Sequence, residues 1–544
     1  MSDAVRIVEL TADEEPTALL EPVVVSEYEP RKGAEHRYII AFAVVLAAMM
    51  QVIDSSIVNV ALPDMMGNLG ASLDDIAWVS TGYLLASVIV IPLTGFLGDL
   101  LGRKRYFVGS IVLFTVSSFF CGASHSLGAL VIWRIIQGIG GGALMTVSQA
   151  VLFESFPLEE AGMAMALFGL GVMVGPTIGP TLGGWLTDNY GWPWIFYVNI
   201  PVGILAAVMI AGYVNDPAHQ KRPRAIDYVG IALLVVSVGS LQYVLEHGER
   251  EDWFASHFIA WLTVTGVIGG VLLIWRELTT DHPVIDFRVL RHRQMWVGTL
   301  LGVVMGIGLY AMSFTLPVFM QGNLAMTAEQ TGWILMPGAL ATALSMAVVG
   351  RLTNKFDPRL LITAGALTFA LAAWKLSLIT GASGAEDFFW PLILRGVGLG
   401  LMFVPLTTIT LAELSPTELA QGTGLYNFFR QLGGSFGIAG ISTLLIRYTA
   451  QNRANLVSHV STLNPISMAR LEMMTRGMMA KGADFWTAQK QALSLIDQQL
   501  MGQASVLAYG RIYELSAFLI LLLIPLLLLV RKTKGAAGAH AIME

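Results

Sequence analysis

Few side chains in this sequence stand where they can do chemistry. The first is Asp54, in IDSSIVNVALP (residues 53–63), inside an apolar run from about 39 to 61. That run is long enough to cross a bilayer as a helix, and an ionised carboxylate within it costs ~2.5 kcal/mol or more. Such a group faces a cavity or a partner, and it can bind and release a proton as its surroundings change. The plainer alternative is a buried acid that only hydrogen-bonds a neighbouring helix. Pro63 is expected to close this helix, because proline cannot continue the ladder. Arg134, opening RIIQGIGGGA, is the natural counterpart. A guanidinium in a membrane helix keeps its charge and needs an acceptor. It either partners Asp54 or is a structural arginine bonded to helix carbonyls, and Gln137 can join the same network. Arg430 and Asn427, in LYNFFRQLGGSFG (425–437), supply a second intramembrane base and a cross-helix hydrogen-bonder.

Other chemistries find little support. There is no His-Glu-x-x-His, Gly-x-Ser-x-Gly or Asp-Asp-x-x-Asp pattern and no nucleotide-binding loop. Asp74–Asp75 stands at a helix start and reads as a cap. The single cysteine, Cys121, permits no intramolecular disulfide and builds no metal cluster. No cofactor or metal is expected.

The elements that must position these groups are membrane helices. The 544 residues are 55% hydrophobic and only 13% charged, against about 25% charged in soluble domains. A net charge of −6 offers no basic footprint for nucleic acid. Apolar runs at about 39–61, 76–98, 106–123, 127–149, 161–186 and 194–214 are followed by a linker holding Lys221, Arg222 and Arg224. Runs at about 227–245 and 257–275 come next, then six more at about 295–320, 330–352, 359–380, 388–411, 419–446 and 510–530. This predicts an all-α polytopic membrane protein of fourteen helices, grouped six, two and six. Lys and Arg concentrate in the tails and in the loops at 103–105, 221–224, 276–293 and 351–359, whereas the short opposite loops hold only Arg250. Both termini are therefore expected in the cytoplasm. The expected organisation is a cytoplasmic tail (1–37), a six-helix bundle (38–214), a linker with two extra helices (215–294), a second six-helix bundle (295–531) and a short cytoplasmic tail (532–544).

Glycine patterns connect the helices. GFLGDLLGRKR (95–105) is echoed weakly by GRLTNKFDPR (350–359), where Asp357 falls late and the glycine pair is missing; Arg134 is echoed by Arg395. Two halves related in this way enclose a site near the midplane. Gly171, Gly175, Gly179 and Gly183 recur every four residues, so they line one helix face and allow close packing. Pro176 and Pro180 in the same stretch make bends expected.

GFLGDLLGRKR resembles the signature loop of the major facilitator superfamily at Gly95, Leu97, Asp99, Gly102, Arg103 and Lys104. The resemblance implies a cytoplasmic latch in which Asp99 and Arg103 take part. RIIQGIGGGA resembles the fourth-helix arginine motif implicated in proton transfer. GVMVGPTIGPTLGGW (171–185) looks like the fifth-helix antiporter motif of the proton-coupled exporters, with Pro180 where a glycine is usual. Asp54, Asn59, Ala61 and Pro63 resemble the first-helix motif of the fourteen-helix drug:proton antiporters. Together with the outer segment 447–505 this narrows the likeness to the EmrB type. The implied function is proton-driven export of amphipathic organic compounds across a bacterial inner membrane. The implied partners are a periplasmic adaptor and an outer-membrane channel. Within 447–505, Asp484 is expected to cap a helix bearing Phe485, Trp486, Leu493, Ile496 and Leu500, either to dock the adaptor or to cap the outer vestibule. Candidate substrate contacts are Asn59, Gln137, Asn427 and Arg430, with Met49, Met50, Tyr83, Tyr310, Met312, Phe403, Tyr426 and Phe429 offering a soft apolar lining. Rival readings keep the fold but export an endogenous metabolite, siderophore or lipid, or make the chain a receptor or a membrane-embedded enzyme.

Overall fold

The computed structural model describes residues 36–530 apart from 158–159, 216–225, 354, 416 and 462–463, and omits the side chains of 73, 74, 173, 174, 176, 177 and 328. Nearly all of the first tail, the whole of the last, the linker bases Lys221, Arg222 and Arg224, and the Pro176 side chain lie outside the described residues. Among those described, all regular structure is helical. The first part of the chain folds as α1 (Arg37–Leu69), α2 (Leu73–Val90), α3 (Thr94–Leu101), α4 (Arg103–Gly122), α5 (Leu127–Ser155), α6 (Ala161–Tyr190), α7 (Trp194–Tyr197) and α8 (Asn199–Tyr213). Then come α9 (Tyr228–His247) and α10 (His257–Thr279). The remainder is α11 (Arg293–Gly322), α12 (Ala328–Leu352), α13 (Pro358–Ser377), α14 (Ala385–Leu411), α15 (Leu419–Val457), α16 (Pro465–Met479), α17 (Phe485–Leu521) and α18 (Leu523–Leu526).

Twelve stretches among the described residues are long and apolar enough to cross a membrane. Two expected spans are not among them: α6, at 30 residues, and α15, at 39. Both are long enough to cross (about 1.5 Å of rise per residue). In α15 the glycines and the polar group Asn427, Arg430 and Gln431 dilute the hydropathy.

Two local expectations are corrected. Pro63 does not end α1, which continues through it to Leu69 and stops at Gly70, where φ is +62° and the N–H bonds the Met66 carbonyl. Pro63 and Asn59, whose carbonyl loses its helical donor, are both exposed rather than packed in the core. The α2 cap is Ser72 rather than Asp74–Asp75: its Oγ accepts from the Asp75 N–H at 3.2 Å and donates to the Asp75 carboxylate at 2.6 Å. α6 is continuous as a helix across both of its proline positions.

α1 packs along α6, α8 and α5; α5 also lies against α2 and α4. α11 packs along α15, and α14 along α12 and α13. α12 lies along α6, joining the first group to the second. α9 and α10 pair with each other, and α9 rests on α2 and α15. This pair is tied in by Thr81 donating to Glu246 at 2.7 Å and by Trp253 Nε1 donating to Thr443 at 3.0 Å. Asp227, which caps α9, takes Arg276 of α10 at 2.9 Å. That contact, above all other influences, holds the Asp227 carboxyl below the usual carboxylate range. Beyond the bundle α15 and α17 run on as helices. Asn452 donates to the Ala504 carbonyl at 3.2 Å, and Arg453 pairs with Asp497 at 2.6 Å.

Candidate functional site

Glycine brings the charged helices together. A Cβ on Gly175 would stand 2.7 Å from Val52 Cγ1, and one on Gly183 would stand 2.7 Å from Ile57 Cγ1 and 3.0 Å from the Ile57 carbonyl. Cβ atoms on Gly171 and Gly179 would run into Val45 and Ser56. The four-residue stripe on α6 is therefore the surface on which the Asp54 helix lies. On α5, Gly138 and Gly142 abut the carbonyls of Tyr83 and Ser87, and Gly140 abuts that of Ser110. Arg134 is thus held against α2 on one side and α4 on the other.

Asp54 is wholly buried and Arg134 is 1% exposed. Arg134 Nη1 donates to Asp54 Oδ2 at 2.6 Å and to Gln137 Oε1 at 2.7 Å, and its Nε donates to the Val79 carbonyl at 3.0 Å. Asp54 Oδ1 accepts from Gln137 at 3.0 Å and from Asn199 at 2.9 Å. Asn199 also donates to Ser118 Oγ at 3.1 Å. The guanidinium lies over the Tyr83 ring, 4.2 Å from its centroid. The Asp54 carboxyl group is therefore paired and hydrogen-bonded from three helices besides its own, α5 and α8 directly and α2 through Arg134. Sequence reasoning named Asp54, Arg134, Gln137 and Tyr83 but missed Asn199. Its signal was present: an asparagine in the otherwise apolar VNIPVG run.

A second polar cluster sits where α15 meets α5. Asn427 donates to Gln149 at 2.6 Å, and Arg430 Nη2 donates to Asn427 Oδ1 at 2.9 Å and lies 3.9 Å from Met145 Sδ. The guanidinium carbon is 5.3 Å from the Phe403 centroid and 6.0 Å from that of Tyr426. Gln51, one turn before Asp54 on α1, accepts the Met145 backbone N–H at 3.0 Å. The two clusters share α5: Arg134 and Met145 are about 16 Å apart along its axis, some three turns.

At one end of the bundle Gly102 turns α3 into α4 with φ +93° and ψ 127°, a backbone that side chains rarely adopt. It presents Arg103, which is 6% exposed, to Glu154 of α5 as an ion pair. Arg103 and Glu154 are the charged neighbours of Asp99. Glu154 was not singled out in the sequence. A Cβ on Gly95 would lie 2.9 Å from the Gln421 backbone of α15, so the first part of the chain closes tightly on the second here.

The remaining candidates scatter. Asn59 is exposed and accepts from Ser80 at 3.1 Å. Tyr310 donates to Gln431 at 2.9 Å. Phe403 is wholly buried beneath Arg430. Arg395 meets Ser313 at 2.7 Å rather than a carboxylate. Asp484 caps α17 through the Trp486 and Thr487 N–H groups, but Phe485, Trp486 and Leu493 stand exposed.

The model of the Major Facilitator Superfamily matches residues 44–438. The chain belongs to the major facilitator superfamily. It is of the EmrB type: it is 34% identical over 513 residues to the multidrug export protein EmrB of Escherichia coli (strain K12), covering 94% of this chain and 98% of that one. It is 33% identical over 514 residues to the fatty acid resistance protein FarB of Neisseria gonorrhoeae, covering 94% and 99%. The crystal structure of the human organic anion transporter MFSD10 superposes with a TM-score of 0.57 at 15% identity, covering 89% and 99%. The proton:xylose symporter XylE gives 0.56 at 13% identity, covering 94% and 100%. These last two show the shared superfamily fold. Family and fold mark the chain as a multi-pass membrane transporter rather than an enzyme.

Proposed function

We propose that the protein is a proton-coupled exporter of amphipathic organic compounds across a bacterial inner membrane. The observation that carries this reading is the enclosed Asp54–Arg134 pair, which puts a titratable carboxyl group inside a membrane helix. Drug efflux is supported by the curated relatives, which the chain matches over nearly their whole length. In this reading α6 and α15 also cross the bilayer, giving fourteen spans in two six-helix halves with α9 and α10 inserted between them. Both termini are cytoplasmic. The contact of Gly95 with Gln421, beside the basic loop 103–105, then supports an arrangement closed on the cytoplasmic side by the Asp99–Arg103 latch, with Gly102 as its hinge and Lys104 beside it.

A proton reaching Asp54 from outside removes the charge that Arg134 faces. Arg134 keeps Val79, Gln137 and the Tyr83 ring, so the charged tie between α5 and α1 is lost, their neutral hydrogen bonds through Gln137 and Gln51 remain, and α5 stays held to α2. The glycine face of α6, built from Gly171, Gly175, Gly179 and Gly183, lets α1 shift without opening a void. Rocking of the halves then exposes Asp54 inward, where the proton leaves. One proton crossing 100 mV supplies ~2.3 kcal/mol, enough for a ~50-fold substrate gradient. The exposed apolar side chains Phe485, Trp486 and Leu493 support docking of a periplasmic adaptor, which in turn would meet an outer-membrane channel.

The test is transport by the full chain in proteoliposomes with an imposed pH gradient, across a panel of dyes and metabolites. Export coupled to proton counterflow is expected. Binding without flux would make the chain a receptor and sink the reading.

A further inference from the structure

The two buried arginines of the polar clusters differ in one respect. Arg134 has Asp54. Arg430, 4% exposed, has no carboxylate: among the described residues no ion pair reaches it. Its acceptors are a neutral amide oxygen and a thioether, and its Nε–H, buried, has no hydrogen-bond acceptor at all. A buried cation without a counter-ion is costly, and a guanidinium offers five N–H donors in a fork that matches a carboxylate. The rings of Phe403 and Tyr426 offset part of that cost but accept no hydrogen bond of ordinary strength.

We propose that Arg430 is the anion-binding point of the transport site, and that the preferred cargo carries a carboxylate or similar monoanion on a flat apolar body. The inference rests on the export reading and names its substrate class. The anion takes the free edge of the guanidinium in a charge-assisted, two-point hydrogen bond. The body lies against Phe403, Tyr426 and Met145, aromatic and thioether surfaces that adapt to varied shapes. Asn427 and Gln149 hold the fork in place from α15 and α5. Because Gln51 ties the Met145 turn to the helix bearing Asp54, a shift of α1 on protonation is transmitted to Met145 beside the Arg430 guanidinium.

The test uses purified full-length protein in nanodiscs and three matched probes: 2-naphthoate, 2-naphthamide and 2-naphthylmethylammonium. The wild type should bind the anion about tenfold more tightly than the neutral amide, the worth of one charged hydrogen-bonded contact, and the cation least. Arg430→Gln should bring anion and amide within about twofold, and Arg430→Lys should retain part of the preference because it keeps the charge. Equal affinity for anion and amide in the wild type overturns the proposal without recourse to any variant, as does an undiminished preference in Arg430→Gln. Binding is read without transport, so it separates this inference from the export reading. A protein that prefers the anion but moves nothing under a proton gradient refutes export alone. One that pumps cations and ignores the anion refutes this assignment alone.

Discussion

Replacing Asp54 by asparagine keeps the shape of the side chain and leaves an oxygen for Gln137 and Asn199, but it strands Arg134. The lost contact is the 2.6 Å ion pair between groups 0% and 1% exposed. Removing one partner of a buried pair costs ~3–5 kcal/mol. Arg134 retains the Val79 carbonyl, Gln137 and the Tyr83 face, which puts the expected loss near the lower bound, about 3 kcal/mol. A second change, Arg134→Gln, removes the stranded charge and should recover about half of it. Equilibrium unfolding of the reconstituted protein measures both variants. Neither should carry out pH-driven transport, since neither has a proton acceptor at this point. Native transport by Asp54→Asn would remove the acid from the mechanism. A double variant weaker than either single one, by the sum of their losses, would show that the two charges do not act as a pair.

Further outcomes follow from the same contacts. Gly179→Leu or Gly183→Leu should force α6 off α1, costing about 1–3 kcal/mol and slowing transport; thermal melting alongside flux checks this. Arg134→Ala should uncouple proton flow from substrate flow, which the ratio of the two fluxes reads; an unchanged ratio contradicts the assigned role. Deleting 460–500 should spare transport in isolated vesicles yet abolish resistance in cells, and retained resistance would argue against adaptor docking. Arg276 holds the Asp227 carboxyl below the usual range, so its contribution is present at neutral pH and is lost as pH falls through its folded value. Amide protection factors in 228–279, which remove the intrinsic pH dependence of exchange, should therefore hold down to about pH 4 and fall only below it.

The helical class and the approximate helix positions were legible in the sequence because uninterrupted apolar runs have one comfortable solution in a bilayer. That Asp54, Arg134 and Gln137 would meet was also legible, since intramembrane polar groups seek each other. Which side chains complete the cluster was not. In a helix apolar on every side, periodicity does not distinguish a face on lipid from a face on another helix, so Asn199 and Glu154 passed unnoticed. Pro63 misled because proline stops a helix only where the freed carbonyl goes unsatisfied. Ser72 was overlooked beside two acids, although a hydroxyl at the N-cap position needs no charge to serve.

The central claim is that Asp54 changes its charge state as the transporter works. Infrared difference spectroscopy of the reconstituted protein with isotope-labelled aspartate, comparing acid with neutral pH in the presence and absence of a transported probe, reads this directly. The account predicts a protonated-carboxyl band that appears on acidification, shifts when the probe binds and is missing from Asp54→Asn. A band of the same size and response in that variant would contradict it.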